Sequence, residues 1–397
     1  MVEATTQEYE KFDVIIVGGG LAGCSTALSI RRSYPRASIL LLDDTDPTAF
    51  KIGESLPAEG KKVLAYLSPQ LLARFADDLS NDTHVRCTGN AFAWNTEELE
   101  EKYAILNLFG MGWHLDRAKF DQALRDVGAA EGVKIVRGSF LDVRRGEGPY
   151  VWNVTGKNIG SQSTTAFQSR IVVDASGRKA SLARKLGAKT IKRDTLLALY
   201  TIFHLTAGVE DPDYRTIIEA SESGWWYTSQ LPNSKRVVVY HTDESDPTSR
   251  IARKQDGFLN LLHSETSHIS TLILEQKYDL LRDSGIQHPR CTVACSSYLE
   301  PCCDQGAPSE WYAVGDAAMA FDPLSSQGMI TALKMGCIVG DAIGRQLEAL
   351  QPVVETRNVV DNYMLVRAKY EKEKLYFYRQ VDRFNGEFWR RRQESTH

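Results

Sequence analysis

The sequence contains no long uncharged apolar run and no internal repeat. No stretch approaches the roughly 18 apolar residues that a membrane-spanning helix needs, so we expect no transmembrane segment. Residues 1–11 are polar and acidic, and they lack the basic and apolar regions of a secretory signal peptide. The 397 residues are enough for two or three globular domains.

Paired cysteine motifs and a surplus of one charge are missing as well. The seven cysteines form no two CxxC pairs, so the sequence predicts no zinc site. Without a signal peptide, these thiols indicate a reducing compartment, and we expect a cytoplasmic protein. The 47 Lys and Arg residues against 51 Asp and Glu residues give a net charge of −4, which argues against a nucleic-acid partner.

The first structured part of the chain predicts a strand, a helix and a second strand. A short apolar run covers residues 12–17, apolar residues at helical spacing cover 22–33, and a second apolar run covers 38–42. Pro35 ends the helix between the two strands. These elements form one βαβ unit, in which the turn after the first strand commonly holds a nucleotide.

Glycines occupy that turn in the pattern Gly18-x-Gly20-x-x-Gly23. Gly18 allows the tight turn, Gly20 lets the backbone approach a pyrophosphate, and Gly23 lets the helix pack close to the sheet. Asp43 ends the second strand, where a carboxylate can accept hydrogen bonds from ribose hydroxyl groups. The four positions predict dinucleotide binding, but they do not by themselves separate NAD from FAD.

Four features later in the chain favour FAD over NAD. Gly315 and Asp316 follow a predicted strand, and an Asp in this place can meet the ribityl hydroxyls of a flavin. The long helix predicted over residues 328–349 would direct its N-terminus at the isoalloxazine ring and stabilise the anionic reduced flavin. Asp174 supplies a further turn at the end of a strand, and Arg117 opens a helix from which it can pair with pyrophosphate.

The middle of the chain has a different character. Residues 196–205, 225–231 and 236–242 predict antiparallel strands, with a turn at Asn233 and Ser234. The sequence therefore predicts an α/β fold in which a Rossmann-like FAD-binding domain is interleaved with an antiparallel-sheet substrate domain and followed by a C-terminal helical region. The predicted boundaries are 1–190 with 291–350 for the first domain, 191–290 for the second and 351–397 for the helical segment.

Six segments together carry a resemblance to a known family. The chain resembles the FAD-dependent monooxygenases of the aromatic-hydroxylase type, and more closely their halogenase-like branch, which includes protein-maturation flavoproteins. The segments are residues 18–23, 53–57, 112–117, 174–177, 315–329 and 388–391. The most specific run is Phe-Asp-Pro-Leu-Ser-Ser-Gln-Gly-Met at 321–329, and the resemblance spans nearly the whole chain.

The resemblance implies a noncovalent FAD cofactor and an oxygen-transfer reaction. FAD would be reduced by NADPH or NADH, directly or through a separate flavin reductase, since the chain has no second dinucleotide-binding fingerprint. The reduced flavin would react with O2 to a C4a-hydroperoxide, which hydroxylates or otherwise oxidises an electron-rich aromatic or heteroaromatic substrate. That substrate is a small molecule or a tryptophan-like group, because some branch members hydroxylate a tryptophan within a partner protein.

The motifs and the resemblance together define a set of candidate site residues. The expected cofactor-binding residues are Gly18, Gly20, Ala22, Gly23, Asp43, Arg117, Asp174, Gly315, Asp316, Gln327, Gly328 and Met329. The expected catalytic residues are Glu54, His114, Ser325 and Ser326. The expected substrate-binding residues are Trp225, Tyr227 and His241.

Several of these side chains have an alternative interpretation. Glu54 lies beside the flavin, in a loop that links the flavin and substrate sites, or is an exposed loop acid. His114 is a base or a structural histidine, which is the more frequent case. The aromatic residues of the antiparallel strands line a pocket that stacks an aromatic substrate, or they pack in the core. Neighbours along a strand face opposite ways, so only half of them can share one pocket.

The sequence departs from the halogenases at two groups that handle the halogenating species. Residues 89–94 hold no lysine where halogenases carry one, and Ser325 stands where they carry an acidic residue. The run at 225–232 also does not match their Trp-x-Trp-x-Ile-Pro segment. We therefore expect oxygen insertion rather than halogenation. Hydride removal by an FAD oxidase or dehydrogenase is the alternative enzymatic function, and non-enzymatic flavin binding is a third.

Overall fold

A computed structural model describes residues 9–47, 49–103, 108–280, 289–304, 309–348 and 352–394 of the chain. This part of the chain forms a mixed α/β fold with four β-sheets, which confirms the predicted fold class. Its strands are β1 (Glu10–Val17), β2 (Ile39–Asp43), β3 (Ser55–Leu56), β4 (Val85–Cys87), β5 (Gly89–Ala93), β6 (Glu100–Tyr103), β7 (Gly112–His114), β8 (Lys134–Arg145), β9 (Trp152–Asn158), β10 (Thr164–Asp174), β11 (Lys189–Lys192), β12 (Leu196–Leu205), β13 (Thr216–Ser221), β14 (Gly224–Leu231), β15 (Lys235–Asp243), β16 (Tyr278–Leu280), β17 (Arg290–Val293), β18 (Ser297–Glu300), β19 (Trp311–Ala313) and β20 (Met319–Ala320).

The helices of the described ranges lie beside these sheets and after them. They are α1 (Leu21–Ser33), α2 (Gly60–Leu67), α3 (Pro69–Ser80), α4 (Arg117–Ala130), α5 (Ser181–Lys185), α6 (Pro247–Ile251), α7 (Gln255–Glu265), α8 (His268–Glu275), α9 (Gly328–Leu347), α10 (Pro352–Arg379) and α11 (Glu387–Gln393). No helix in the described part of the chain is both long enough and apolar enough to cross a membrane. Within the same ranges there is no group of three His, Cys, Asp or Glu residues that could hold a metal ion.

Parallel strands form the sheet that carries the nucleotide motif. Their spatial order is β8–β2–β1–β10–β19, and β9 pairs antiparallel with the far parts of β8 and β10. Because the five strands run in the same direction, Val17, Asp43, Asp174 and Ala313 end at one edge of the sheet. Ligands of open α/β sheets bind at this carboxyl edge.

Helices α1 and α9 are far apart in sequence but pack closely beside this sheet. Small residues on α9 face α1 at four-residue spacing. A Cβ atom built on Gly336 would lie 2.0 Å from Ser25 Oγ, and one built on Gly344 would lie 2.0 Å from Ser33 Oγ. The later residue of α9 contacts the later residue of α1, so the two helices run parallel. Their N-termini therefore lie at the same end.

The second large sheet combines strands from two separate parts of the chain. Its order is β16–β12–β15–β14–β13–β5–β6, with β17 also paired to β12. The central strands β12, β14 and β15 coincide with the three predicted strands to within one residue. Residues 232–234 form the turn between the paired ends of β14 and β15, and Asn233 and Ser234 in it have positive φ values of 61° and 55°.

The predicted domain boundaries stay a prediction, and strands from both predicted domains contribute to the second sheet. Strands β5 and β6 lie inside the predicted first domain, yet β5 pairs in parallel with β13 at the edge of the second sheet. Helices α6, α7 and α8 lie within 191–290, where the sequence indicated only strands. Phe258, Leu262 and Ile269 of these helices share a buried cluster with Trp226 and Tyr240 of the sheet, so apolar burial explains their position.

The C-terminal helical region covers the other face of the second sheet. Tyr378 of α10 and Phe388 and Trp389 of α11 form one buried cluster with Trp94 and Trp225. The predicted helical tail is therefore part of the core.

Candidate active site

The turn between β1 and α1 has the close contacts that its spaced glycines predict. Gly18 has a φ of +110°, and a Cβ atom on it would lie 2.2 Å from the carbonyl oxygen of Ala175. A Cβ atom on Gly23 would lie 1.9 Å from the Gly18 carbonyl oxygen, so only glycine permits this packing. A Cβ atom on Gly20 would meet nothing within 4 Å. The turn thus leaves open space at the glycine that the motif assigns to the pyrophosphate.

Two helix N-termini at this end of the molecule have no capping side chain. Gly20 is the N-cap residue of α1, and the first turn of α1 contains no acidic residue. Gln327 precedes α9 without a side-chain capping bond, and a Cβ atom on Gly328 would meet nothing within 4 Å. Uncapped N–H groups and the positive end of the helix dipole favour a bound anion or a negatively charged ring.

Asp43 is a buried carboxylate with one occupied and one unoccupied oxygen. Its Oδ1 accepts hydrogen bonds from the Gly19 N–H at 3.1 Å and from the Thr45 hydroxyl at 2.7 Å. Its Oδ2 has no hydrogen-bond donor in the described ranges of the chain, and Arg125 Nη1 lies 3.7 Å away. A buried acceptor without a donor is costly, and a ribose hydroxyl would supply that donor. The residues at this edge therefore fit the adenosine end of FAD.

Gly315 brings the second predicted nucleotide segment against the first. It has a φ of +60°, and a Cβ atom on it would lie 2.6 Å from Ala22 Cβ. The neighbouring Asp316 remains 41% exposed and lies 3.4 Å from Arg178 Nε. Arg178 also donates to the Phe321 carbonyl oxygen at 3.2 Å, so it connects this segment to the loop before α9.

Two of the predicted cofactor residues are engaged by neighbouring groups of the protein. Arg117 donates to the Gly53 carbonyl oxygen at 2.6 Å and to Asp121 at 3.1 Å. Asp174 accepts hydrogen bonds from the Ser176 N–H and from a backbone N–H of α5, and burial raises its pKa. Asp174 therefore shapes the turn after β10, and the Arg117 guanidinium holds the loop at Gly53.

Arg125 is a residue of this site that was not predicted. It is buried, and its Nη1 donates to the Gly19 carbonyl oxygen at 3.0 Å. Asp121 and Arg125 are four residues apart and interrupt the apolar side of α4 that Phe120 and Leu124 indicate. Two charged residues at inward positions of an amphipathic helix, Asp121 and Arg125, were the signal in the sequence that could have indicated this site.

The loop before α9 contains the two predicted serines. Asp322 caps the short 3₁₀ turn Pro323–Ser325 by accepting a backbone N–H at 3.0 Å. Ser325 Oγ donates to the Asp322 carbonyl oxygen at 3.0 Å and accepts from the Gln327 N–H at 3.3 Å. Ser326 is exposed and has a left-handed φ of +48°, which is uncommon for a non-glycine residue and frequent at functional sites. Ser325 thus stabilises the loop, and Ser326 lies at its exposed surface.

Glu54 is 1% exposed, so its interpretation as an exposed loop acid is wrong. Its carboxylate accepts hydrogen bonds from the Ser229 hydroxyl and, at 3.5 Å, from the Tyr227 hydroxyl, both on β14. The Gly53 N–H donates to it at 3.1 Å. Glu54 therefore joins the segment between β2 and α2 to the antiparallel sheet.

The three predicted substrate-binding residues share one face of that sheet. Trp225 and His241 are opposite each other on β14 and β15, with ring centroids 3.8 Å apart and an interplanar angle of 15°. The Tyr227 ring lies 5.7 Å from His241, whereas Trp226 faces the other way and contacts Phe258. Trp225 and His241 are each 1% exposed. They pack as a support for Tyr227, which is the member of the three that reaches Glu54.

Both predicted histidines are neutral at ordinary pH. Burial and, to a smaller extent, the nearby Arg236 lower the pKa of His114 to about 3. Burial lowers the pKa of His241 to about 3 as well. His114 Nε2 lies 2.9 Å from Thr216 Oγ1. A buried imidazole with this pKa is a weak base, which agrees with the structural interpretation of His114.

A separate cleft of about 610 Å³ lies between β6, β13 and α8. It is lined by polar groups such as Glu101, Arg215 and His268, and Arg215 is already paired with Glu101 and Asp213. It contains none of the predicted site residues.

Comparisons with known proteins agree with the flavin cradle described above. The family model described as tryptophan halogenase matches residues 68–252. LodB of Marinomonas mediterranea, provisionally named an FAD-dependent oxidoreductase, is 27% identical over 392 residues, which cover 96% of this chain and 97% of LodB.

Two solved structures share the fold over 98% of this chain. The myxobacterial chondrochloren halogenase CndH, an FAD-dependent halogenase, has a TM-score of 0.83 at 21% identity, with 87% of CndH covered. QhpG, a peptidyl tryptophan dihydroxylase essential for tryptophylquinone cofactor biogenesis, has a TM-score of 0.68 at 20% identity, with 81% of QhpG covered. The glycine turn, the Asp43 oxygen without a donor and these relatives together make the chain similar to the halogenase-like branch of the FAD-dependent oxidoreductases.

Proposed function

We propose that this enzyme is an FAD-dependent monooxygenase that inserts one oxygen atom of O2 into an electron-rich aromatic or heteroaromatic ring. The observation that carries the proposal is the contact of buried Glu54 with Tyr227 and Ser229. This contact joins a loop of the FAD-binding part to the aromatic face of the antiparallel sheet. An aromatic substrate at this junction would meet the ring of Tyr227, which is only partly buried.

Reduced FAD and O2 together supply the electrophilic oxygen atom. Asp43 and the N-terminus of α1 hold the adenosine and pyrophosphate groups, and the N-terminus of α9 stabilises negative charge on the reduced ring. Glu54 accepts the proton that leaves the substituted ring carbon, directly or through the Tyr227 hydroxyl.

The overall reaction consumes one substrate C–H, one O2, one NAD(P)H and one proton, and it yields one C–OH, one water and one NAD(P)⁺. The electrons arrive from NADPH or NADH, directly or through a separate reductase. The cytoplasmic location stays a prediction.

Halogenation is the second candidate, and the match to the tryptophan halogenase model favours it. Two observations support oxygen insertion instead. The only lysine opposite the 89–94 segment in the described β5–β6 pair is Lys102, which faces Asn90, is exposed and lies over the Phe92 ring. Ser325 stands in place of the halogenase acid, and its hydroxyl is bound within its own loop.

Product mass tests the proposal. Purified enzyme should be yellow and release FAD on denaturation. It is supplied with NADPH, a flavin reductase and isotopically heavy O2, together with a panel of indoles, phenols, pyrroles and tryptophan-containing peptides. Oxygen insertion adds one heavy oxygen atom to a product. Removal of two hydrogens with peroxide formation would instead identify an oxidase, and colourless protein that takes up no FAD would exclude both.

The loop before α9 can be tested at Gly328. Gly328→Val should leave the fold intact, because the added side chain meets no protein atom within 4 Å at its Cβ. It should lower FAD affinity at least tenfold, about 1.4 kcal/mol, and slow reoxidation by O2, because it obstructs the approach of the ring to the α9 N-terminus. Gly160→Val is a matched control, since its Cβ also meets nothing and it lies in a distant turn. Wild-type affinity and rate in folded Gly328→Val would contradict this placement of the flavin.

A further inference from the structure

Tyr378, at the end of α10, bonds to both the loop before α9 and the aromatic face of the antiparallel sheet. Its side chain is fully buried. Its hydroxyl donates to Asp322 Oδ2 at 2.7 Å and accepts from Trp225 Nε1 at 3.2 Å. Its ring packs against Trp94 and Trp389. One phenol from the C-terminal region therefore connects the two segments between which the proposed reaction takes place.

We propose that Tyr378 is a positioning residue for the reaction with O2. Through Asp322 it holds the loop that borders the flavin, and through Trp225 it supports the ring stack that ends at Tyr227, beside Glu54. The inference rests on the proposed function, because it assumes that reduced FAD lies against this loop. It makes the C-terminal helical region a component of the active site.

Asp322 depends on α10 at two points. Its side chain is 1% exposed, and its Oδ1 is used by the capping bond within the loop. Its Oδ2 receives the Tyr378 hydroxyl, and its backbone N–H donates to the Tyr370 hydroxyl at 2.8 Å. A buried carboxylate oxygen that loses its donor is strongly disfavoured, so removal of the Tyr378 hydroxyl would force the loop to rearrange.

The protonation state of the Tyr378 hydroxyl is consistent with this direction of donation. Burial raises the pKa of Tyr378 far above its ordinary value, and the neighbouring Asp322 raises it further, so the hydroxyl keeps its proton. The ring stack of Trp225 on His241 continues to Tyr227, which contacts Glu54. A continuous series of contacts therefore connects Tyr378 with Glu54.

The test compares the reaction of reduced holoenzyme with O2 in wild type and Tyr378→Phe. This variant removes both hydrogen bonds but keeps the buried ring. FAD is reduced with dithionite under nitrogen, mixed with O2-saturated buffer and followed by its visible absorbance. We expect at least a fivefold change in the reoxidation rate and an altered visible circular dichroism spectrum of bound FAD, with FAD content unchanged.

Tyr312→Phe is the matched control. Tyr312 is also fully buried, and its hydroxyl bonds to Gln346 and Thr356, away from the loop and the sheet face. It should lose a similar amount of thermal stability without a change in rate or flavin spectrum. A Tyr378→Phe effect no larger than that of Tyr312→Phe would overturn the inference.

A double-mutant cycle tests whether Tyr378 acts through Asp322. Asp322→Asn keeps an acceptor at Oδ1 but replaces the Oδ2 acceptor, so its effect and that of Tyr378→Phe on the reoxidation rate should be non-additive. Additive effects would contradict this route. If Tyr378→Phe does not fold, Asp322→Asn and Trp225→Phe each remove one of the two bonds and carry the same measurement. Wild-type enzyme that binds no FAD, or whose reduced FAD does not react with O2, would instead overturn the proposed function.

Discussion

Two buried carboxylates, Asp43 and Glu54, differ in the hydrogen-bond donors that surround them, and this difference indicates different roles. Among the residues that the structure describes, Asp43 Oδ2 has no hydrogen-bond donor, which suits a group that binds a ligand hydroxyl. Glu54 receives donors from Gly53, Tyr227 and Ser229, which suits a group that joins two parts of the fold. Equal burial therefore has different consequences at the two positions.

Asp43→Ala should weaken FAD binding. The ribose loses a charged acceptor whose hydrogen bond contributes about 1.5–3 kcal/mol, which corresponds to roughly a ten- to hundredfold increase in Kd. The measurement is a fluorescence titration of apoprotein with FAD. Asp44→Ala is the control, because Asp44 is the exposed neighbour and should leave the Kd unchanged. An unchanged Kd in Asp43→Ala would remove Asp43 from the site.

The buried histidines should make the protein less stable in mild acid. Burial lowers the pKa of His114 to about 3, against about 6.5 in the unfolded chain, so the unfolded state binds a proton first as the pH falls. Stability is therefore lost as the pH drops below about 6.5, by about 2 kcal/mol for one histidine between pH 7.5 and pH 5. Urea unfolding of His114→Gln should show a pH dependence smaller by this amount. An identical pH dependence in wild type and variant would mean that His114 is protonated in the folded state.

At the scale of secondary-structure elements, the parallel contact of α1 with α9 orders the flavin cradle. The two helices begin at the glycine turn and at the loop before α9, which are some 300 residues apart in sequence. Their small facing residues let the backbones approach closely, so the two N-termini keep a fixed relation. A change in this contact would move one N-terminus relative to the other.

Gly340→Ala should destabilise the enzyme although alanine favours helices. A Cβ atom at Gly340 would lie 2.6 Å from Ser29 Cβ and from the Thr26 carbonyl oxygen, so α1 must move, at a cost of about 1–3 kcal/mol. Gly128→Ala in α4 is the control, because its Cβ meets nothing within 4 Å and it should stabilise by up to about 1 kcal/mol. Chemical denaturation measures both. A stabilised Gly340→Ala variant would show that the helices are not in this close contact.

At the scale of the whole molecule, function depends on how the two large sheets and the C-terminal helices meet. Glu54 links the first part to β14, and Tyr378 links the loop before α9 to the same strand. The aromatic face therefore has contacts with both sides of the proposed reaction site. Solved structures of a halogenase and of a peptidyl tryptophan dihydroxylase have a similar fold, so the fold alone does not fix the reaction. The reaction depends on the individual side chains at the site.

We expect no halogenation by this enzyme. Residues 89–94 hold no lysine, and Ser325 replaces the acidic residue of halogenases, so neither group that handles the halogenating species is present. The substrate found in the product-mass experiment is incubated with reduced FAD, O2 and either chloride or bromide. The product should carry oxygen alone in both salts. A halide-dependent mass shift would overturn this prediction.

Local features of the cradle were predictable from the sequence. Helix α4 begins at Arg117 as expected, with Asp116 accepting a hydrogen bond from the Lys119 N–H, because capping involves only neighbouring residues. The glycine turn has the backbone angles and close contacts that its spacing indicates, since these constraints are also local.

Only the tertiary structure decided which distant groups meet. The pairing of β5 with β13, the burial of Glu54 under β14, the contact of Arg125 with the glycine turn and the bonds of Tyr378 to Asp322 join residues that are 56 to 175 positions apart. Such contacts depend on which apolar surfaces are buried against each other, and that is a property of the whole chain. The sequence by itself therefore determined the cofactor cradle and the type of fold, while the packing of the sheets and C-terminal helices determined the proposed reaction site.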